Sequence, residues 1–397
     1  MQIAVFTKST TYHKGHGGLE TQNKLLCEGL AARGHRIVVF SPTRDQPLQN
    51  VTENGVDYIF VKSSYRYFLS SFNKNSWYNQ SYKVFEKANS DSKFDLILGQ
   101  SSAAIGIIAR KELHSIPVVS VSHGTTLGEL KTQITNIRNV KDALKVLKDG
   151  QYVLRQYFGR QRDFILKSTH VVAVSTAVKK NLVDETFIPE ENITVINNGI
   201  NPTPFIKVRE GRNLRGKGVL FVGQLTKDKG IDLLLKMFGS DDFKDISLYI
   251  VGDGPLKEFI NEQISHMPNG FKIKLLGKIP YQDVVNYYLN EEISVFAFPT
   301  KREEGLPMVL VEAMFAGLPV VAFDKGGVTD IVKNSETGYV LKPNDDIGFK
   351  HKLVNLVNDP EILSKFSSNA LKNAYSSLSL DAMIEKYEDV FKKVMKK

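Results

Sequence analysis

Two glutamates eight positions apart offer the clearest chemistry in this sequence. Glu304 stands just before Pro307, which suits the first turn of a helix, and Glu312 lies inside that helix. At about 1.5 Å per residue the carboxylates are about 12 Å apart along the helix axis, whereas the pair of a glycosidase is ~5–10 Å apart. The spacing favours a clamp on two hydroxyl-bearing ends of one extended ligand. Two solvated glutamates on an amphipathic helix are the alternative.

A glycine-rich loop earlier in the chain supplies a cation. Gly223 directly follows a predicted strand and lets another group approach the backbone closely. Lys229 opens the next helix, where its ammonium group can meet a phosphate as a point charge. A solvated surface lysine is the alternative. Because free N–H groups at the start of the helix after Pro307 also favour negative charge, these features predict a phosphate region between the two hydroxyl-binding ends.

The first half of the chain has two further candidate contacts. Gly17 and Gly18 follow the first predicted strand, but they lack the spaced three-glycine pattern and no acidic residue ends the second strand, which argues against an NAD site. The loop suits a glycine platform under a phosphate or a sugar. His123 follows another strand, where a neutral imidazole can hydrogen-bond a sugar hydroxyl. A structural histidine is the alternative.

Several chemistries have no motif in the sequence. Asp-x-Asp, His-x-x-x-His, Gly-x-Ser-x-Gly and the Walker lysine loop are all missing, so neither a divalent metal site nor a serine nucleophile is predicted. The single cysteine, Cys27, rules out an intramolecular disulfide and a Cys-rich zinc site, and it suits a small core position. We expect phosphate binding by Lys229 and helix N-termini, with no metal and no cofactor.

Short apolar strands that alternate with amphipathic helices position these residues. The strands are predicted at 3–6, 36–40, 95–98, 117–121, 170–174, 219–222, 247–251, 273–276, 294–298 and 319–322. Runs this apolar indicate strands covered on both faces, and therefore the parallel sheets of a doubly wound α/β fold. The turn-rich stretch 197–204 is the best linker. Ligands of such sheets bind beyond the carboxyl ends of the strands, where the candidate residues lie.

Taken in order, these motifs resemble the retaining glycosyltransferases of family four, which have the GT-B architecture. The resemblance covers nearly the whole chain and is strongest in its second half. The motifs that carry it there are Gly223–Gly230, Gly252–Pro255, Glu304-Gly305, Glu312-Ala313 and Gly317–Val321. It implies two Rossmann-like domains facing a cleft, an acceptor-side domain at 1–203 and a donor domain at 204–379. It also implies that a helix within 380–397 crosses back to the first domain.

The resemblance also implies a role for each candidate residue. Glu304 would contact hydroxyls of the donor hexose, and Glu312 would contact the ribose. Lys229 would bind the diphosphate of a UDP- or GDP-sugar, and His123 would touch the transferred sugar; with Glu304 these two would be the catalytic residues. The other donor-binding positions are Gly17, Gly18, Gly223, Gln224, Gly305, Leu306, Met308 and Val309. The acceptor hydroxyl would attack on the face that the phosphate leaves, with retention and without a metal.

Gln224 departs from the family pattern, which often has arginine at this position. A glutamine still donates a hydrogen bond, but a charged donor contributes roughly 1.5–3 kcal/mol against 0.5–1.5, so a weaker donor site is expected. Lys227 either compensates or is solvated. Two alternatives stay open: a non-catalytic donor-binding partner of another transferase, and a nucleotide-sugar epimerase that uses His123 as its acid–base group.

Most of the net charge lies in one segment. Residues 131–180 hold 11 lysines and arginines against 3 acidic side chains, within a chain whose net charge is +9. Apolar residues recur there at helical spacing, so the segment either lies on anionic lipid or covers the sheet of the first domain.

The acceptor is expected to be a glycan, a lipid-linked sugar or another hydroxyl compound, and no nucleic-acid motif accompanies the charge. The N-terminus lacks the features of a secretion signal, so we expect a cytoplasmic protein with any membrane contact peripheral.

Overall fold

The chain divides into two compact units. The computed structural model describes residues 1–15, 17–44, 46–64, 73–110, 115–125, 127–128, 130, 134, 146, 150, 160–208 and 212–396. The first unit is Met1–Gly199 with Leu380–Lys397, and the second is Ile200–Ser379. Their boundary lies inside the turn-rich stretch, slightly before the boundary between 203 and 204 that the sequence suggests. In the described ranges, every helix is too short or too polar to span a bilayer.

Each unit contains one sheet. The strands of the first unit are β1 (Gln2–Phe6), β2 (Arg36–Pro42), β3 (Val51–Glu53), β4 (Val56–Val61), β5 (Leu96–Gln100), β6 (Val118–Ser122), β7 (His170–Ala173) and β8 (Ile193–Val195). Those of the second unit are β9 (Gly218–Val222), β10 (Ser247–Val251), β11 (Ile273–Gly277), β12 (Ile293–Phe298), β13 (Val320–Phe323) and β14 (Gly338–Leu341). The described α-helices are α1 (Gly18–Ala32), α2 (Trp77–Asp91), α3 (Ile105–Ile108), α4 (Arg160–Leu166), α5 (Thr176–Thr186), α6 (Ile231–Phe238), α7 (Lys257–His266), α8 (Tyr281–Tyr288), α9 (Met308–Phe315), α10 (Val328–Ile331), α11 (Asp346–Asn358), α12 (Pro360–Ser377) and α13 (Leu380–Met395).

Both sheets reverse their strand order next to the first strand of the unit. The order is β3-β4-β2-β1-β5-β6-β7-β8 in the first unit and β11-β10-β9-β12-β13-β14 in the second, and all strand pairs are parallel except β3 with β4. The apolar strands are buried; Ile3 to Phe6, for example, have no exposed surface. Because β9 lies between β10 and β12, the loops that follow β9 and β12 meet at a topological switch point, where open α/β sheets bind ligands.

The terminal helix belongs to the first unit, as the resemblance implied. Its buried residues are Met383, Ile384, Tyr387, Val390, Phe391 and Val394. Ile384 packs against α1 at Gly29, where a Cβ would lie 2.2 Å from the Ile384 Cδ1 atom. Arg33 reaches Asp381 and Glu385 at 3.4 and 3.5 Å, which ties the start of α13 to the end of α1. The two ends of the second unit lie side by side, since the N–H of Ile200 donates to the carbonyl of Leu378 at 3.1 Å.

Three regions of strand were absent from the sequence-based prediction. The β3–β4 hairpin adds an antiparallel edge to the first sheet, β8 has three residues and β14 has four. All are short or half-exposed, so none shows the continuous apolar run of a central strand. The predicted helix in the basic segment falls largely on 131–133, 135–145, 147–149 and 151–159, which lie outside the described residues, and it stays a prediction.

Two fully buried tyrosines give a matched test of core packing. The Tyr387 hydroxyl is buried without a hydrogen-bond partner, whereas the Tyr288 hydroxyl donates to the Val309 carbonyl at 3.2 Å. We expect Tyr387→Phe to leave the free energy of unfolding unchanged or raise it by up to ~1 kcal/mol, and Tyr288→Phe to lower it by about 1 kcal/mol. Scanning calorimetry of the full chain measures both; equal destabilisation by the two variants would contradict this account of the Tyr387 hydroxyl.

Candidate functional site

Lys229 and Glu304 form an ion pair at the switch point of the second sheet. Lys229 ends a short 3-10 turn after β9, and Glu304 lies in the loop after the neighbouring strand β12. Lys229 Nζ lies 2.5 Å from Glu304 Oε1, and the side chains are only 18% and 14% exposed. The structure therefore brings together two of the predicted site residues that are 75 positions apart in the chain.

The loops that carry this pair are bonded to each other. The N–H of Lys301 donates to the carbonyl of Asp228 at 2.8 Å. Gly230 adopts a left-handed conformation (φ +75°), and a Cβ there would lie 2.1 Å from the Pro299 carbonyl oxygen. Only glycine fits such a contact. The backbone after β9 is thus held against the backbone after β12.

A third loop, the one after β13, holds the backbone of Glu304 in place. The N–H of Gly327, in the loop after β13, donates to the Glu304 carbonyl at 2.9 Å. Gly326 has φ +60°, and a Cβ there would lie 1.9 Å from the same carbonyl oxygen. Thr300 Oγ1 lies 3.2 Å from Glu304 Oε1. Glu304 is therefore fixed through both its backbone and its carboxylate.

A second ion pair lies beside the first, and the sequence analysis did not identify it. Lys325 Nζ lies 3.1 Å from Glu303 Oε1, and the lysine is only 18% exposed. The signal was present in the sequence: Glu303 adjoins Glu304, and Lys325 follows strand β13 directly before two glycines. A cation that follows a strand of the same parallel sheet is expected at the same edge.

The predicted positions around Gly223 lie at this edge too. The N–H of Gly223 donates to the Val251 carbonyl at 3.0 Å, and a Cβ on Gly252 would lie 1.8 Å from the Gly223 carbonyl oxygen. This contact depends on the missing side chain of Gly252, because the nearest atom to a Cβ on Gly223 itself would be Phe221 Cζ at 3.5 Å. Gln224, which follows, is exposed to solvent.

The other predicted residues of the second unit lie in or just before helix α9. Helix α9 begins at Met308, directly after Pro307, and Glu312 is buried in its second turn with 7% exposure. Met308 and Val309 are partly exposed, as is Gly305, whereas Leu306 is buried. The N-terminal end of a helix attracts negative charge, so this end of α9 is suited to an anion.

The remaining predicted residues lie in the first unit. Gly17 and Gly18 are exposed at the start of α1, and the Gly17 N–H donates to the Glu20 carboxylate at 2.9 Å. His123 follows β6, and its Nε2 lies 2.7 Å from Gln100 Oε1. Loss of solvation lowers the pKa of His123 to about 4, against an opposing effect of Glu20, so the ring is neutral at pH 7.

Among the described residues, no group of three or more His, Cys, Asp or Glu side chains is placed to hold a metal ion. The chemistry visible in the second unit is instead that of two partly buried lysine–carboxylate pairs and a helix N-terminus. Such an arrangement binds an anion next to hydroxyl groups, because lysines attract phosphate and carboxylates accept hydrogen bonds from hydroxyls.

Comparison with known families accounts for both units. Residues 203–373 match the family described as glycosyl transferases group 1, and residues 16–203 match glycosyltransferase family 4. The chain belongs to glycosyltransferase family 4. The enzyme class implied by the sequence motifs is thereby confirmed.

Relatives of this family 4 chain extend over its full length. The chain is 25% identical to a glycosyltransferase of Methanocaldococcus jannaschii, an alignment that covers 96% of this chain and 95% of the relative. Sucrose-phosphate synthase from Thermosynechococcus elongatus superposes with a TM-score of 0.75 at 17% identity, covering 100% and 99% of the two chains. Anabaena HepE, solved in complex with UDP-glucose, gives a TM-score of 0.70 at 16% identity, covering 99% and 100%. These structural likenesses confirm the GT-B fold.

The contact between Gly326 and Glu304 predicts a specific loss of activity. Gly326→Ala places a Cβ against the Glu304 carbonyl and in a left-handed conformation, so we expect Glu304 to move and glycosyl transfer to fall at least about ten-fold. Gly34→Ala is the control, because Gly34 has φ +85° but nothing within 4 Å of a Cβ. Gly34→Ala therefore adds backbone strain of about 1 kcal/mol but no steric contact. Equal turnover by the two variants, measured as nucleotide release, would show that Gly326 does not position Glu304.

Proposed function

We propose that this family 4 enzyme transfers a hexose from a UDP- or GDP-sugar to a hydroxyl of a glycan, a lipid-linked sugar or another acceptor, with retention and without a metal. The observation that carries the proposal is the Lys229–Glu304 pair at the switch point of the second sheet. A nucleotide sugar has both groups that such a pair serves, a diphosphate and a set of sugar hydroxyls. The UDP-glucose bound by HepE, which has the same fold, supports this class of donor.

Donor binding changes the partner of Lys229 in this proposal. Without donor, its ammonium group is neutralised by Glu304 at 2.5 Å. The diphosphate supplies a stronger negative charge, so Lys229 binds phosphate oxygens while Glu304 accepts hydrogen bonds from the hexose. Neither charge then stays buried without a partner, which is the costly case.

The nucleotide part of the donor lies along α9 in this proposal. Glu312 accepts from the ribose hydroxyls, and the backbone N–H groups around Leu306, Met308 and Val309 face the diphosphate. Gly223, Gln224 and Gly305 add backbone and amide contacts. In the first unit we assign phosphate contacts to Gly17 and Gly18 and a contact with the transferred sugar to His123.

The chemical step follows from the charge that develops. The bond between the anomeric carbon and the phosphate oxygen breaks, and the departing diphosphate gains negative charge that Lys229 and the N-terminus of α9 stabilise. The acceptor oxygen forms the new bond to the anomeric carbon on the face that the phosphate leaves. The acceptor's proton moves to a phosphate oxygen of the leaving group, so no protein base is needed and the anomeric configuration is retained.

The proposed acceptor and the proposed membrane contact rest on the charge of one segment. The basic segment 131–180 would draw an acidic glycan or a lipid-linked acceptor at an anionic membrane surface, at about 1 kcal/mol for each well-placed cation. We propose that the enzyme is cytoplasmic and that its membrane contact is peripheral.

The proposal predicts donor binding and turnover in the presence of EDTA. One donor from a panel of UDP-, GDP- and ADP-sugars should raise the melting temperature and release nucleoside diphosphate. We expect Lys229→Met and Glu304→Gln each to reduce turnover at least about 100-fold, since each removes a charge from the reacting centre. Lys350→Met is the matched control, because it breaks a lysine–aspartate pair with Asp242 outside the loops of the site. Turnover that requires a divalent metal, or that survives both site variants, would contradict the proposal.

Gln224→Arg is expected to tighten the donor site. The exchange replaces a neutral hydrogen-bond donor by a charged one, worth about 1 kcal/mol more against phosphate and hence a roughly five-fold lower Kd for the donor. Ser368→Arg adds the same charge to an exposed position of α12 and controls for net charge. Isothermal titration with the donor identified by the panel measures both variants; an unchanged Kd for Gln224→Arg would place residue 224 away from the diphosphate.

A further inference from the structure

Gln100 is a buried polar residue at the end of an apolar strand. It is the last residue of β5 and is 2% exposed. Its Oε1 lies 2.7 Å from His123 Nε2, while its own Nε2 is buried without a hydrogen-bond partner. A buried amide donor without a partner is unfavourable, and an apolar side chain of the same length would avoid that cost. Unlike an apolar side chain, the glutamine supplies a hydrogen bond to His123.

The backbone on both sides of this hydrogen bond is fixed. Strands β5 and β6 are parallel neighbours, with Gln100 opposite Val121, and His123 directly follows the end of β6 at Ser122. After Gln100 the chain turns at Ser101, whose φ of +51° is unusual for a residue with a side chain. Lys8 Nζ then bonds the Ser102 hydroxyl at 2.6 Å, which connects this turn to the loop after β1.

The hydrogen bond determines which nitrogen of His123 carries the proton. The ring is neutral, because loss of solvation lowers its pKa to about 4, so one nitrogen donates and the other accepts. A carbonyl oxygen can only accept, and Gln100 Oε1 therefore places the proton on Nε2. Nδ1 is left with its lone pair, so it can accept a hydrogen bond, and His123 as a residue is half-buried.

We infer that Gln100 is a positioning residue that fixes the orientation and the tautomer of His123, so that His123 accepts a hydrogen bond from a hydroxyl or amide N–H of the transferred sugar. The inference rests on the proposed contact between His123 and that sugar. It specifies the direction of that hydrogen bond: the sugar group at Nδ1 donates and the imidazole accepts. A fluorine or a hydrogen in place of the sugar hydroxyl therefore removes the hydrogen bond. Gln100 does not touch the sugar itself, and it acts through the imidazole.

The tautomer can be observed without any donor. Nitrogen NMR of the full chain labelled with 15N-histidine separates protonated from unprotonated ring nitrogens, and the His123→Ala spectrum assigns the signal. In the wild type we expect Nε2–H with an unprotonated Nδ1. Gln100→Met, which keeps the length of the side chain, should convert this signal to an average of both tautomers. A wild-type ring protonated on Nδ1, or a signal unchanged in Gln100→Met, would overturn the inference.

Kinetics test whether Gln100 acts through His123. With the donor found by the panel, Gln100→Met should lower kcat about ten-fold, because a misaligned imidazole no longer holds the sugar in the reactive geometry. In the His123→Ala background the same change should have no further effect. A further loss in that background would mean that Gln100 serves the fold instead, and the inference would fail. Because the NMR result needs no turnover, failure of the proposed function and failure of this inference are distinguishable.

Discussion

Two opposite charges that share a poorly hydrated position constrain the loops at the switch point of the second sheet. The Lys229–Glu304 pair is less than one-fifth exposed on either side, and removing either partner from such a pair leaves a charge that water does not compensate. The geometry must therefore be held closely. Gly230 and Gly326 permit the backbone contacts that hold it. The pair also explains why the fold tolerates a lysine there, since Glu304 neutralises the ammonium group.

The general fold could be predicted from the sequence because its signals are local. Runs such as Ile3–Phe6 and Ser247–Val251 are apolar at every or nearly every position, which is typical of strands buried in a parallel sheet. The β3–β4 hairpin was missed because the edge strand β3 has only three residues, and β4 beside it is only partly buried and carries Asp57. Strands β8 and β14 were missed because three or four residues give too short a pattern to separate from a loop.

The candidate site was predictable in position and less so in detail. In a parallel sheet every strand ends at the same edge, so residues in the loops that follow strands of one sheet, such as Lys229 and Glu304, are expected together. Which side chains then bond each other depends on tertiary packing, and no sequence spacing encodes it. Lys325 beside Glu303 is one such case, and Gln100 beneath His123 is another. A glutamine at the end of a strand has no local pattern that distinguishes it from an ordinary polar residue.

The return of α13 to the first unit has a consequence for biosynthesis. Domains usually fold in the order in which the ribosome releases them. Here the first unit lacks the apolar face of α13, including Tyr387 and Phe391, until the whole second unit has been synthesised. The face of α1 that packs against α13 therefore stays uncovered while the 180 residues of the second unit emerge. The entropic cost of closing a loop grows only slowly with its length, so this long separation adds little to the cost of docking α13. The second unit is continuous in sequence and can complete its core first. Folding is then completed last in the first unit, when α13 at the end of the chain docks on it.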